Sequence, residues 1–270
     1  MIELIGQIQP VELLIYLATG AVAGILAGLL GVGGGLFIVP VLLLILPQVG
    51  IDSTHLLTIA IATSLATIVF TSISSVRAHH KKGAVIWNKF FWLSPGLVIG
   101  AWLGAFVADW LSKEHLTLFF GCAVILIGLQ MFLGKQPERA SSPKKAAYAI
   151  AGVFIGTVSS MIGIGGGSLS VPLLHHWNTS MVKAVATSAA GGLPIAMAGT
   201  IGFIVSGWNQ ENLPSLSSGY VYWPAAFGIV ISSVFFAPIG AHWAHIVPAK
   251  KLKKFFAIFL VAIGIKVLIG

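Results

Sequence analysis

The sequence predicts an all-α polytopic membrane protein made of two inverted-topology repeats. Three observations carry that prediction. The first is composition: the 270 residues are 57% hydrophobic and only 8% charged, with a mean hydropathy of +0.99, which leaves little chain for anything outside a bilayer. The second is a duplicated glycine stretch. Gly31-Val32-Gly33-Gly34-Gly35, with Pro40 five positions on, recurs as Gly163-Ile164-Gly165-Gly166-Gly167 with Pro172, an offset of 132 in each case (31 to 163, 40 to 172). The third is the distribution of lysine and arginine, which sit in short connections between apolar runs.

Residues 11–30 form an apolar run long enough to cross the roughly 30 Å hydrocarbon core at about 1.5 Å per residue. The glycine stretch breaks it, because glycine weakens a helix and frees backbone polar groups. Residues 36–46 are then a short apolar piece, about half a bilayer long. Pro47 to His55 reads as a loop, and 56–76 as a full span. Arg77 to Lys82 reads as a basic loop. Residues 84–108 span, with Trp87, Trp92 and Trp110 near the ends as interfacial anchors, and 116–133 span again. A polar linker at 135–145 divides a first membrane repeat (1–134) from a second (146–270). The second repeats the order: a span at 146–162, the glycine stretch, a short piece at 169–175, a span at 181–206, a polar loop at 207–219, a span at 220–245, a lysine turn at 250–254 and a last span at 255–269. The expectation is about eight full spans and two short returning segments, each repeat holding a glycine-broken helical hairpin plus three further spans.

The internal repeat reaches beyond the glycines. Ala62-Thr63-Ser64 matches Ala186-Thr187-Ser188, and Gly83-Ala-Val85-Ile-Trp87 matches Gly219-Tyr-Val221-Tyr-Trp223. Orientation follows from lysine and arginine alone. With the 135–145 linker cytoplasmic, thirteen of the 15 basic residues fall inside, leaving Lys113 and Lys266 outside. The loop before Gly83 is then inside and its partner before Gly219 outside, so the halves are inverted and each needs an odd number of crossings. The N-terminus falls outside. Met1 to Gly6 carries no basic region and no obvious cleavage site, so no removable signal peptide is expected. The net charge of +8 belongs to the positive-inside pattern rather than to nucleic-acid binding, and the lone Cys122 excludes an intramolecular disulfide.

Irregular backbone survives in lipid only where protein packs it or a polar cavity adjoins it, and paired helix breaks in matching halves point to a transporter's binding site. The glycine stretches are not dinucleotide fingerprints, since Leu36 and Ser168 stand where the last glycine belongs, and no Gly-Lys-Ser/Thr follows for a phosphate loop. Their chemistry is that of backbone N–H groups at a helix N-terminus, which attract an anion. Gly20, Gly24 and Gly28 read instead as helix-packing positions. Gly28-Leu-Leu-Gly-Val-Gly-Gly-Gly-Leu-Phe-Ile-Val-Pro40, Met161-Ile-Gly-Ile-Gly-Gly-Gly-Ser-Leu-Ser-Val-Pro172 and the Ala-Thr-Ser stretch after each resemble the sulfite exporter TauE/SafE family of membrane permeases. The resemblance covers nearly the whole chain. It implies movement of small anions, often sulfur oxyanions or organosulfonates, across the bacterial inner membrane.

The candidate substrate-binding residues are Gly33, Gly34, Gly35, Gly165, Gly166 and Gly167 for their amides, and Thr63, Ser64, Thr187, Ser188 and Ser168 for their hydroxyls, which donate to oxyanions without adding a charge. Ser168 and Ser170 flank the second glycine stretch only, and Leu36 and Ile38 stand at the equivalent positions of the first, so the site is expected to be asymmetric. For the hydroxyls the competing role is helix–helix hydrogen bonding. His79 and His80 read as part of the basic loop, and His175, His176, His242 and His245 as interfacial groups. His242 and His245 make the one i, i+3 histidine pair, which gives metal binding little support. No carboxylate falls mid-span, so no proton- or sodium-binding carboxylate is expected within the membrane, and no nucleophile–base set points to an enzyme. The expected function is a secondary transporter for a small anion, working by alternating access in the inner membrane. An anion channel with the same helix-end site is the alternative, and a non-transporting scaffold is disfavoured by the destabilising glycines. No cofactor or metal is implied; the expected partners are a small anionic substrate and the lipid bilayer, with homo-oligomerisation left open.

Overall fold

The computed structural model describes residues 10–31, 33–51, 54–133, 143–244, 246 and 250–269. Among them are ten α-helices: α1 (Pro10–Leu30), α2 (Gly35–Ile45), α3 (Leu56–Lys81), α4 (Trp87–Trp110), α5 (Lys113–Leu133), α6 (Lys145–Ile162), α7 (Gly167–His176), α8 (Met181–Ser206), α9 (Trp223–Trp243) and α10 (Lys250–Ile269). Seven of them, α1, α3 to α6, α8 and α9, are long and apolar enough to cross a membrane. The expected eighth span differs: α10 contributes the shorter apolar stretch Phe256–Ile269. The 135–145 linker lies mostly outside the described residues.

Several boundaries depart from the sequence expectation. Arg77 to Lys81 is the last turn of α3 rather than a loop. Nothing in that stretch breaks a helix before Gly83, and cations at a helix C-terminus meet its negative dipole end. α9 begins at Trp223, later than expected. The preceding residues instead form a small antiparallel hairpin, Ser217–Ser218 against Val221–Tyr222. α10 begins five residues early, at Lys250.

The two sets of five helices interlock. α1 packs along α9 and α6 along α4, so the first helix of each half lies against the fourth helix of the other. α3 crosses α8, and α5 pairs with α10 at the edge. Small residues permit the closest approaches. A Cβ added at Gly20, Gly24 or Gly28 would run into the α9 backbone at Ile229, Ser233 and Ala237 respectively, and one at Gly96, Gly100 or Gly104 into α6 at Ala149, Val153 and Thr157. Contact positions rise together along both partners, so each pair runs parallel. Backbone-to-backbone packing of this kind replaces the hydrophobic drive that lipid cannot supply.

Contacts sort the connections onto two ends of the bundle. At one end His55 lies against Tyr220 (ring centroids 5.4 Å apart), and Tyr220 reaches Asp109 at the end of α4. At the other, Lys82 meets His242 at 3.2 Å, Lys145 sits 4.4 Å above the Trp92 ring, and Tyr148 packs on Trp177 at 4.6 Å. Arg77, Lys81, Lys82, Lys145 and Lys183 gather at this second, basic end. α3 therefore runs from the first end to the basic end, while α8 starts beside Thr179 at the basic end and finishes with Gly207 against Tyr220.

Candidate functional site

Each short helix starts on a residue that only glycine holds without strain. Gly34 (φ 81°) and Gly166 (φ 74°) cap α2 and α7 in the left-handed conformation. Their carbonyls accept the amides of Ile38 (3.1 Å) and Ser170 (2.8 Å). Pro40 and Pro172 sit inside the helices that follow and cannot donate to the Leu36 and Ser168 carbonyls one turn back. The amides of Gly165, Gly166, Gly167 and Ser168 have no backbone acceptor among the described residues. They are the orphan donors of a helix N-terminus.

The two stretches meet each other. A Cβ at Gly33 would lie 3.2 Å from Gly165 Cα, and one at Gly35 would overlap the Gly163 carbonyl and lie 3.0 Å from Ile164 Cα. The meeting point lies against the middle of both long crossing helices: the Gly33 position is 3.0 Å from Ile68 Cγ2 of α3, and the Gly192 position in α8 is 3.1 Å from the Gly165 carbonyl oxygen.

The predicted hydroxyls surround this junction, but as cross-links between halves. Ser64 donates to the Gly163 carbonyl (2.8 Å) and Ser188 to the Gly31 carbonyl (3.3 Å). Thr63 Oγ1 accepts the Tyr222 amide and Thr187 Oγ1 the Ile86 amide, both at 3.0 Å. Each bond has its counterpart in the other half, so Ala-Thr-Ser is a device that ties each half to its partner. The Ser64 and Ser188 protons are spent on backbone carbonyls, whereas Thr63 and Thr187 are used as acceptors and keep theirs. Ser168 differs: its side chain is buried and its Oγ has no partner among the described residues. Two further serines that sequence reasoning passed over share that state. Ser159 and Ser160, at the end of α6, are fully buried with unpartnered Oγ atoms, and a Cβ on Gly166 would lie 3.4 Å from Ser159 Oγ. The signal was present: the first half has Ala27-Gly28 at the equivalent place.

The sulfite exporter TauE/SafE family model matches residues 16–267. The chain belongs to the sulfite exporter TauE/SafE family. It is 37% identical over 255 residues to a probable membrane transporter protein of Haemophilus influenzae, covering 94% of this chain and 97% of the relative. A probable membrane transporter protein of Bacillus subtilis is 28% identical over 271 residues (93% and 95% covered), and one of Methanocaldococcus jannaschii 26% over 259 residues (94% and 95%). No solved structure matches the chain. Family membership and the apolar spans make this a multi-pass membrane transporter.

In this TauE/SafE family member the titratable groups lie towards the two ends. His79 is fully buried late in α3 and donates from Nε2 to the Gly28 carbonyl (3.0 Å), so it belongs to the packed interior rather than to a basic loop. His175 Nδ1 donates to the Thr179 carbonyl at 2.9 Å. His80 accepts from Trp87 Nε1, and His242 accepts from Lys82; His245 lies outside the described residues. Lys89, in the first turn of α4, donates to the Trp177 carbonyl (2.7 Å) and the Thr179 hydroxyl (2.8 Å). Among the described residues no group of three or more metal-ligating side chains assembles.

Proposed function

We propose that the protein is a secondary transporter that binds one small anion, a sulfur oxyanion or organosulfonate, where the two glycine stretches meet, and exposes it alternately to the two sides of the bacterial inner membrane. The observation that carries this is the junction itself. Orphan amides at the start of α7 and buried, unpartnered hydroxyls on Ser159 and Ser168 lie beside it. A helix N-terminus carries about half a positive charge, which suits a singly charged anion better than a bulky polyanion. Hydrogen sulfite, the singly protonated form of the sulfite named in the description of the family, fits that size and charge.

Support for alternating access comes from the direction of the short helices. α2 returns towards the end at which α1 begins, and α7 towards the basic end at which α6 begins. α3 and α8 run oppositely. Two halves arranged so are inverted, which a carrier uses to exchange conformations and a channel does not need. The basic end is then cytoplasmic, and the N-terminus lies on the other side.

An unpartnered buried hydroxyl costs stability in the empty protein, by about 1–3 kcal/mol, and returns it only when the anion binds. Ser168→Ala and Ser159→Ala should therefore raise the melting temperature of the purified protein while weakening saturable uptake into proteoliposomes. The expected loss is about tenfold to a hundredfold in affinity, the worth of a hydrogen bond to a charged group. The panel is sulfite, sulfate, thiosulfate and a small sulfonate. Unchanged affinity in both variants, or transport of cations instead, would remove the anion from this junction.

A further inference from the structure

α4 carries one charged group at each end, a lysine and a carboxylate, and neither residue type recurs at the aligned position of the second half. At the offset of 136 that aligns the fourth helices, Ala225 stands for Lys89 and His245 for Asp109. At the basic end the Lys89 ammonium bonds the Trp177 carbonyl and the Thr179 hydroxyl, 2.7 and 2.8 Å away. These residues follow directly on α7, whose other end holds Gly167 and Ser168. The cation meets the negative dipole end of that helix, and Thr179 is buried beneath it. At the opposite end the Tyr220 hydroxyl donates to the Asp109 carboxylate. Tyr220 is fully buried, packed on Phe203 at 6.3 Å and His55 at 5.4 Å. Burial and the adjacent carboxylate push the Tyr220 hydroxyl up from its ordinary value, so it keeps the proton it donates.

α4 is thus tied to the end of α7 on one side and to the α8–α9 connection on the other. The paired bonds of Ser64 and Ser188, and of Thr63 and Thr187, obey the repeat, so exchanging the conformations of the two halves exchanges them and favours neither state. A contact without a counterpart is made at one end only and biases the equilibrium. Both ties are polar, so each can trade its partner for water when a crevice opens.

We propose that these two contacts are the gates of the transporter: Lys89 with Trp177 and Thr179 closes the basic end, Asp109 with Tyr220 closes the opposite end, and each opens in its own half of the cycle, an inference that rests on the alternating-access carrier above. Losing a hydrogen bond to a charged group shifts a two-state population about tenfold or more.

The test uses the full chain with Cys122→Ser and a reporter at Ser72→Cys, since Ser72 Oγ and the Gly165 carbonyl lie the same 3.1 Å from the Gly192 Cβ position. An impermeant thiol reagent is applied to right-side-out and inside-out vesicles, and rates are normalised to total labelling after solubilisation. Lys89→Met should raise labelling from the basic face alone, and Lys89→Arg should return it towards the parent. Tyr220→Phe should raise labelling from the opposite face alone, and Asp109→Ala, which breaks the same bond from the other side, should repeat it. Labelling that rises from the same face in both sets, or in neither, overturns the assignment. Protection of the reporter by sulfite or a small sulfonate is read separately. Side-specific labelling without any protection would keep the gates and remove the anion site, and protection without side-specific change would do the reverse.

Discussion

Gly35→Ala tests the meeting of the two glycine stretches through the sign of one stability change. Gly35 opens α2 and does not hold the left-handed conformation. With no neighbour, alanine there would stabilise the helix by up to about 1 kcal/mol. The added Cβ instead overlaps the Gly163 carbonyl and lies 2.9 Å from Ile68 Cδ1. Overpacking of this kind costs about 1–3 kcal/mol. The carbonyl it displaces accepts the Ser64 hydroxyl at 2.8 Å, whose loss adds about 1 kcal/mol. The net expectation is a destabilisation of about 1–3 kcal/mol. Gly50→Ala is the comparison. Gly50 is left-handed (φ 82°) with nothing within 4 Å of its Cβ position, so alanine there measures backbone strain alone, about 1–2 kcal/mol. The assay is thermal unfolding of detergent-purified variants, followed by tryptophan fluorescence, with uptake measured alongside. Packed stretches require Gly35→Ala to melt below the parent and to lose uptake, whereas Gly50→Ala loses stability and keeps uptake. A Gly35→Ala protein as stable as the parent would refute the packing.

Ser64→Ala should cost more stability than Ser188→Ala, by differential scanning of the two proteins, because its bond is shorter and it strands the buried Gly163 carbonyl. Thr71→Val should lose stability as well, since Thr71 Oγ1 donates to the Thr67 carbonyl and lies 2.8 Å from Ser233 Oγ. Gly34→Ala should yield less folded protein than Gly166→Ala on gel filtration: its Cβ lies 2.7 Å from the Ala23 backbone oxygen, whereas that of Gly166 meets the movable end of Ile195. In a Cys122→Ser background, an impermeant reagent on intact spheroplasts should label Ser215→Cys, in the exposed part of the 207–219 loop, and not Ser141→Cys; equal labelling would end the assignment of the basic end to the cytoplasm.

The sequence by itself determined what depends on local rules. Apolar run lengths placed α8 at its observed limits, 181–206, and glycine placed both breaks, because backbone conformation there is decided by the residue that occupies it. Repetition at a fixed offset foretold that the two breaks belong together. The spacing of Gly20, Gly24 and Gly28 marked a packing face, since closeness between membrane helices requires the absence of side chains. Tertiary structure decided what each polar atom does. Ser64 and Ser168 are alike in sequence as small hydroxyls within apolar runs, yet a carbonyl 99 residues away uses up the first while the second has no partner among the described residues. Asp109 and Tyr220, 111 positions apart, and Lys89 and Thr179, 90 apart, carry no periodic signal that joins them. A hydroxyl or ammonium has no fixed direction of bonding until a neighbour is packed against it. Its role is therefore a property of the interface between the halves, which no single stretch of the chain contains.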